Sequence, residues 1–258
     1  MEIRRFAASG HGLPPFPTGT EKVVTEGLPR GTENHIMGSA VPLWLTRLGI
    51  GRWGAGWAVS GGLEMRFRTE LFEGHRLVMC IVESDDAIGV EATDEAGTPC
   101  VDARVLRTGR PPTATTVGGA PVDDRVPATR ESLIGLRLKA VEFEFRADRD
   151  LAIVTDLPDS DVWISNRWAH PAWIASSANA MIRRSLDFGW PPTWINAGTE
   201  IDLHGAVRDG ATVRVEGSVD SLFERGRHSF AVIAMSVTAD GTRSASMRYT
   251  LIYASNRS

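Results

Sequence analysis

Cysteine is almost missing from this chain: Cys80 and Cys100 are the only two. That argues against a disulfide framework, leaving a single Cys80–Cys100 bond as the one open pairing, and no Cys/His spacing suits a metal ion. No apolar run approaches the ~20 residues of a membrane span. The first residues, Met1-Glu-Ile-Arg-Arg-Phe6, lack a signal-peptide apolar core, so a cytoplasmic location is expected. A basic surplus is also lacking. The formal net charge is -4, which disfavours nucleic acid as a partner. There is no Gly-x-Ser-x-Gly elbow, no phosphate-cradling glycine loop and no His-Glu-x-x-His helix. Covalent and metal-dependent catalysis are therefore disfavoured, and no cofactor is expected.

What the chain does hold is ordinary for a soluble globular protein: 42% hydrophobic and 23% charged residues in a length of 258. That length suits one large domain or two of usual size. A long internal repeat is the informative feature. Gly62, Glu64 and Gly74 stand at one offset from Gly198, Glu200 and Gly210. Each copy reads as strand, glycine turn and strand, and each follows a helical stretch. A two-fold repeat at this period suggests one α+β unit used twice.

The helix of the first copy is expected to start near Val41, with Pro42 in its first turn, and to stop at Gly49 or Gly51. Strands are expected over 57–72, 75–83, 88–93 and 100–106. Glycine and proline crowd residues 107–130 and mark a linker. Residues 131–160 bridge into the second copy, with a strand at 141–146. The second helix spans 171–187, with Pro171 in its first turn. Strands follow at 194–204, 211–223, 229–239 and 244–253, the last two joined by the hairpin signal Asp240-Gly241. The boundaries are thus 1–107 for the first unit with an extended arm, 108–130 for the linker and 131–258 for the second unit. A single helix wrapped by a curved antiparallel sheet is the hot dog arrangement. The expected fold class is α+β, a double hot dog.

Several segments together resemble MaoC-like double hot dog proteins: His170-Pro171, Trp194 to Glu200, Asp209-Gly210, Phe223 to His228, and Tyr249 to Tyr253. Gly62 to Phe67 followed by Glu73-Gly74 resembles the same family's paired strands, with His75 where the family often has Asp. The resemblance implies action on acyl thioesters of CoA or carrier protein, by hydration or dehydration of the acyl chain. Hot dog relatives instead hydrolyse the thioester. The hydratases of the family carry Asp-x-Asn-Pro-x-His before the central helix. Here Ser165-Asn166-Arg-Trp-Ala-His170 matches the histidine, but Ser165 stands in place of the aspartate. Thr32-Glu33-Asn34-His35 occupies the corresponding place in the first copy.

Hydration needs a base for water, an acid for the α-carbon and donors for the developing enolate. Read on that basis, His170 with help from Asn166 is one candidate base, and His35 with Glu33 is the other. Asn34 and Asn166 would orient water or cap a helix. Asn179, a poor helix former in mid-helix, is expected to hydrogen-bond something specific. Trp168, Trp173 and Trp194 either wall a substrate pocket or pack the core. Arg225 and Arg227 would meet a phosphate or simply solvent. His75 and His204 are expected to face solvent or a neighbouring strand. The leading reading is a hydratase or dehydratase, as a homodimer. Its rivals are a thioesterase, a non-catalytic acyl-binding subunit, and a specialised enzyme for a bulky substrate.

Overall fold

The computed structural model describes residues 2–7, 23–24, 38–71, 76–112, 121–155, 157–189 and 194–255. Glu33, Asn34, His35 and His75 lie outside these. The first helix, α1, spans Pro42–Trp53 after a 3-10 turn at Gly38–Ala40. Leu43, Trp44, Leu45, Thr46, Leu48 and Gly49 are all buried, so α1 is a central helix rather than a one-faced surface helix. It runs past Gly49 and Gly51, where the sequence suggested a stop. Gly49 makes room for an indole: a Cβ there would lie 2.3 Å from the Trp57 ring. The helix ends at Gly54, whose φ of 78° suits glycine. Trp57, expected to begin a strand, lies instead in a 3-10 turn over Ala55–Val59. Its indole N–H donates to the Leu106 carbonyl at 2.7 Å, which folds the segment back onto the helix. Alanine normally improves a helix interior by about 1 kcal/mol over glycine. Overpacking against Trp57 outweighs that gain here, so Gly49→Ala should lower stability by about 1–2 kcal/mol in denaturant melts.

The strands are β1 (Glu2–Ala7), β2 (Val23–Val24), β3 (Gly62–Phe67), β4 (Arg76–Glu83), β5 (Ala87–Thr93), β6 (Pro99–Leu106), β7 (Val126–Pro127), β8 (Val141–Glu144), β9 (Leu186–Asp187), β10 (Ile195–Leu203), β11 (Thr212–Arg225), β12 (His228–Ala239) and β13 (Thr242–Ser255). Eleven of them form one sheet in the order β1-β4-β5-β6-β3-β10-β13-β12-β11-β8, with β2 on β4. The short β7 and β9 pair separately. The order β4-β5-β6-β3 is mirrored by β11-β12-β13-β10, so the two copies meet at β3 and β10. The strands flanking each repeat's glycine turn are therefore not hydrogen-bonded neighbours. Asp240 (φ 48°) and Gly241 (φ 79°) both take positive φ in the tight turn from β12 to β13.

The register of the seam explains the repeat. Glu64 lies directly opposite Glu200, flanked by Gly62 opposite Asp202 and Arg66 opposite Gly198. Glu64 and Glu200 are also equivalent positions of the two sequence copies. A pseudo-two-fold axis therefore passes between them. Like charges directly opposite are destabilising, and Arg110 offsets them. Its guanidinium lies 3.4 Å from Glu64 and 2.8 Å from Glu200. Arg110 also donates to Asp202 from its backbone N–H at 2.9 Å and from Nε at 3.1 Å. Burial opposes its charge, but Glu200 and Asp202 hold the guanidinium above its usual value. Gly109 lets the chain cross here, because a Cβ would meet the Gly61 carbonyl at 2.9 Å.

The segment expected to be a bridge is more helical than its pattern suggested. It contains most of α2 (Arg130–Leu133), α3 (Ala147–Asp150) and a 3-10 turn at Leu151–Val154, and α4 (Ser160–Asn166) follows from its end. The second central helix, α5, spans Pro171–Ser185 and buries Ile174, Ala178, Met181 and Ile182. No helix among the described residues is long and apolar enough to cross a membrane.

Candidate functional site

Two polar clusters are built on α5, one at its start and one at its middle. The first is built on His170, the N-cap of α5. Its Nδ1 accepts the Ala172 N–H at 3.0 Å, and its Nε2 lies 3.1 Å from Thr46 Oγ1 on α1. The Thr46 hydroxyl donates to Asp159 Oδ2 at 2.9 Å, and Trp163 Nε1 donates to the same oxygen at 3.0 Å. One tautomer satisfies this line: Nδ1 bare, with the Nε2 proton given to Thr46. Trp163 sets its edge against the imidazole, 4.6 Å between centroids. His170 and Trp163 have no exposed surface. The other carboxylate oxygen, Asp159 Oδ1, is buried without a partner. Asp159 occupies the N-cap position of α4 yet makes no cap hydrogen bond, because its side chain turns inward.

Burial pushes His170 down to about 3. A histidine depressed below its unfolded value of ~6.5 contributes stability that is full above that value and lost as pH falls toward 3. The loss is on the order of 4 kcal/mol over that window. His170→Asn keeps a capping acceptor but removes the titration. Its melting temperature should therefore fall less than the wild type's between pH 7 and pH 4.5.

The second cluster lies nine residues further along α5, about 13 Å away by helix rise. Asn179 Oδ1 accepts the Tyr249 hydroxyl at 2.8 Å, and Asn179 Nδ2 donates to Ser39 Oγ at 3.3 Å. Burial raises the Tyr249 phenol, against the nearby Arg183 charge and the Asn179 bond. Trp194 stacks on Phe188 at 5.6 Å beside this cluster, with Arg183 5.9 Å over its ring.

The remaining sequence candidates are dispersed. Asn166 is exposed at the end of α4, and its amide donates to the Val162 carbonyl at 2.8 Å. Trp168 lies under Arg208, and Trp173 sets its edge on Phe145. Arg225 ends β11 in solvent. The N–H groups at the start of α5 are occupied. Pro171 has none, Ala172 donates to the imidazole, and Trp173 and Ile174 donate to the His170 carbonyl. A described cleft of about 490 Å³, lined by Arg52, Trp53, Asp85 and Arg107, involves neither cluster.

Comparison with known proteins adds fold rather than sequence kinship. No family model and no curated protein matches the chain. Solved structures do. An acyl-ACP thioesterase from Bacteroides thetaiotaomicron superposes with a TM-score of 0.52 at 10% identity, over 90% of this chain and 97% of that one. A protein of Mycobacterium tuberculosis described as having a double hot dog fold matches with a TM-score of 0.51 at 14% identity, over 89% and 84%. This chain is a double hot dog. The dehydratase domain of PpsC from Mycobacterium tuberculosis, solved with C12:1-CoA, also matches this double hot dog, with a TM-score of 0.51 at 14% identity over 84% and 85%.

Of the residues gathered in the first cluster, sequence pattern singles out only His170. Thr46 and Trp163 carry no motif, and the search for an acid at position 165 passed over Asp159. The run Pro158-Asp-Ser160 was the available signal, since it marks the start of a helix.

Proposed function

We propose that this double hot dog, with units 1–107 and 131–258, takes an acyl thioester of CoA or carrier protein and hydrates or dehydrates its acyl chain. Asp159 would be the acid/base group and His170, through Thr46, the group that orients it. The observation that carries this reading is the unpartnered, buried Oδ1 of Asp159. A buried acceptor left unmet costs about 1–3 kcal/mol, which a water or a substrate hydroxyl would recover. In hydration, Oδ1 would take a proton from water as its oxygen bonds to the β-carbon. The same proton would then pass to the α-carbon. The dipole of α5 favours negative charge near its start, where the N–H groups are already occupied and donate nothing to the thioester oxygen. A neutral His170 adds no competing charge.

The closed packing of this cluster favours a second reading, a binding subunit without turnover. The two separate in one experiment: crotonyl-CoA, longer enoyl-CoA and saturated acyl-CoA, with enoyl absorbance and free thiol followed together. Loss of absorbance without thiol supports hydration. Thiol release would move the assignment to a thioesterase. Silence in both channels with a raised melting temperature would support binding alone.

A further inference from the structure

Outside the helix pair, the sheet brings together a nucleophile and a base that the sequence separates by 42 residues. Ser246 on β13 lies directly opposite Asp202 on β10. His204 is two residues beyond Asp202, so both side chains lie on one face of the sheet. The backbone fixes this placement, because His204 N–H donates to the Ser244 carbonyl at 2.9 Å. His204 Nε2 then reaches Ser246 Oγ at 2.9 Å, within the range of a nucleophile and its general base. Both residues are partly exposed, unlike His170 and Asp159. Asp202 does not quench the pair, because Arg110 holds both of its oxygens.

We propose that Ser246 and His204 form a reactive serine–histidine dyad that accepts an acyl group from an activated donor, a thioester or an activated ester. Ser246 Oγ attacks the carbonyl carbon while its proton passes to His204 Nε2. The carbon–sulfur or carbon–oxygen bond of the donor breaks, and the leaving thiolate or alkoxide takes that proton. The products are an O-acyl serine and a free thiol or alcohol. Burial lowers the His204 basicity, with Asp202 opposing and Arg243 reinforcing the shift, a direction that favours the neutral imidazole able to accept the proton. The step needs no group from the His170 cluster and goes beyond the hydration reading.

The test is labelling of the full chain with a fluorophosphonate and with p-nitrophenyl acetate, with the modified residue located by mass spectrometry of peptides. The expected result is one adduct on Ser246. Ser246→Ala should abolish it, and His204→Gln should slow it by about 10²-fold or more. Asp159→Asn should leave it unchanged. Ser246→Ala removes one oxygen from a partly exposed site, and an unaltered melting curve will confirm that it folds. An adduct elsewhere, no adduct, or labelling indifferent to His204→Gln would overturn the proposal.

Discussion

Asp159→Asn is expected to reduce enoyl-thioester hydration by roughly 10²- to 10⁴-fold, the usual contribution of a positioned acid/base group. The substitution is nearly isosteric. The amide oxygen can still accept from Thr46 and Trp163, so the fold should survive with a small change in melting temperature. What the variant loses is the unpartnered oxygen that would exchange a proton. Thr46→Val tests the relay separately. It retains shape but breaks the line between imidazole and carboxylate, and should lower kcat more than it changes KM. Steady-state rates for both variants check these outcomes. A fully active Asp159→Asn enzyme would remove Asp159 from the chemistry.

Arg110→Met should cost about 1–2 kcal/mol, or roughly 2–8 °C in melting temperature for a chain of this size. The cost is small because the Arg110 side chain is 44% exposed and solvent screens its ion pairs. The pH dependence is more diagnostic than the size. Without Arg110, Glu200 loses its cation and Glu64 keeps only Arg104 at 3.2 Å, so the facing carboxylates repel more strongly and protonation of either relieves that repulsion. Acids raised in the folded state regain stability as pH falls, so the deficit should shrink from pH 7 toward pH 4.5. Adding Glu200→Gln should recover part of the loss at neutral pH. A deficit indifferent to pH and to Glu200→Gln would mean that Arg110 acts through packing alone. The sign is opposite to that predicted for His170, whose stabilisation is lost on acidification.

The repeat was legible in the sequence because it reflects a symmetry that two residue types preserve. Glycine at 62 and 198 and glutamate at 64 and 200 lie around the pseudo-axis, where backbone approach and charge both constrain the choice. Period-two alternation marked β4, β5, β6 and the long strands β11 to β13 within a few residues. The strand start at Trp57 was misplaced because an aromatic residue favours strands locally, whereas tertiary room at Gly49 and Gly61 draws this indole back onto α1. Helices α3 and α4 are too short for a periodic signal. Within the candidate site, only His170 had a motif around it. Asp159, Thr46 and Trp163 are 113, 124 and 4 residues from the atoms they bond, across the three hydrogen bonds that define the cluster. Sequence spacing does not show the two long closures through Thr46, which the meeting of α1 with the second unit makes; the Asp159–Trp163 bond is local, within the first turn of α4.

An acyl thioester is expected to reach the cluster shared by both central helices. A crystal structure with a saturated, non-hydrolysable acyl-CoA thioether tests it directly. The methylene that replaces the thioester carbonyl and the β-carbon are expected beside Asp159, with Oδ1 within about 2.6–3.2 Å of a bound water. An acyl chain lodged elsewhere, with Asp159 and His170 still sealed by Thr46 and Trp163, would contradict it.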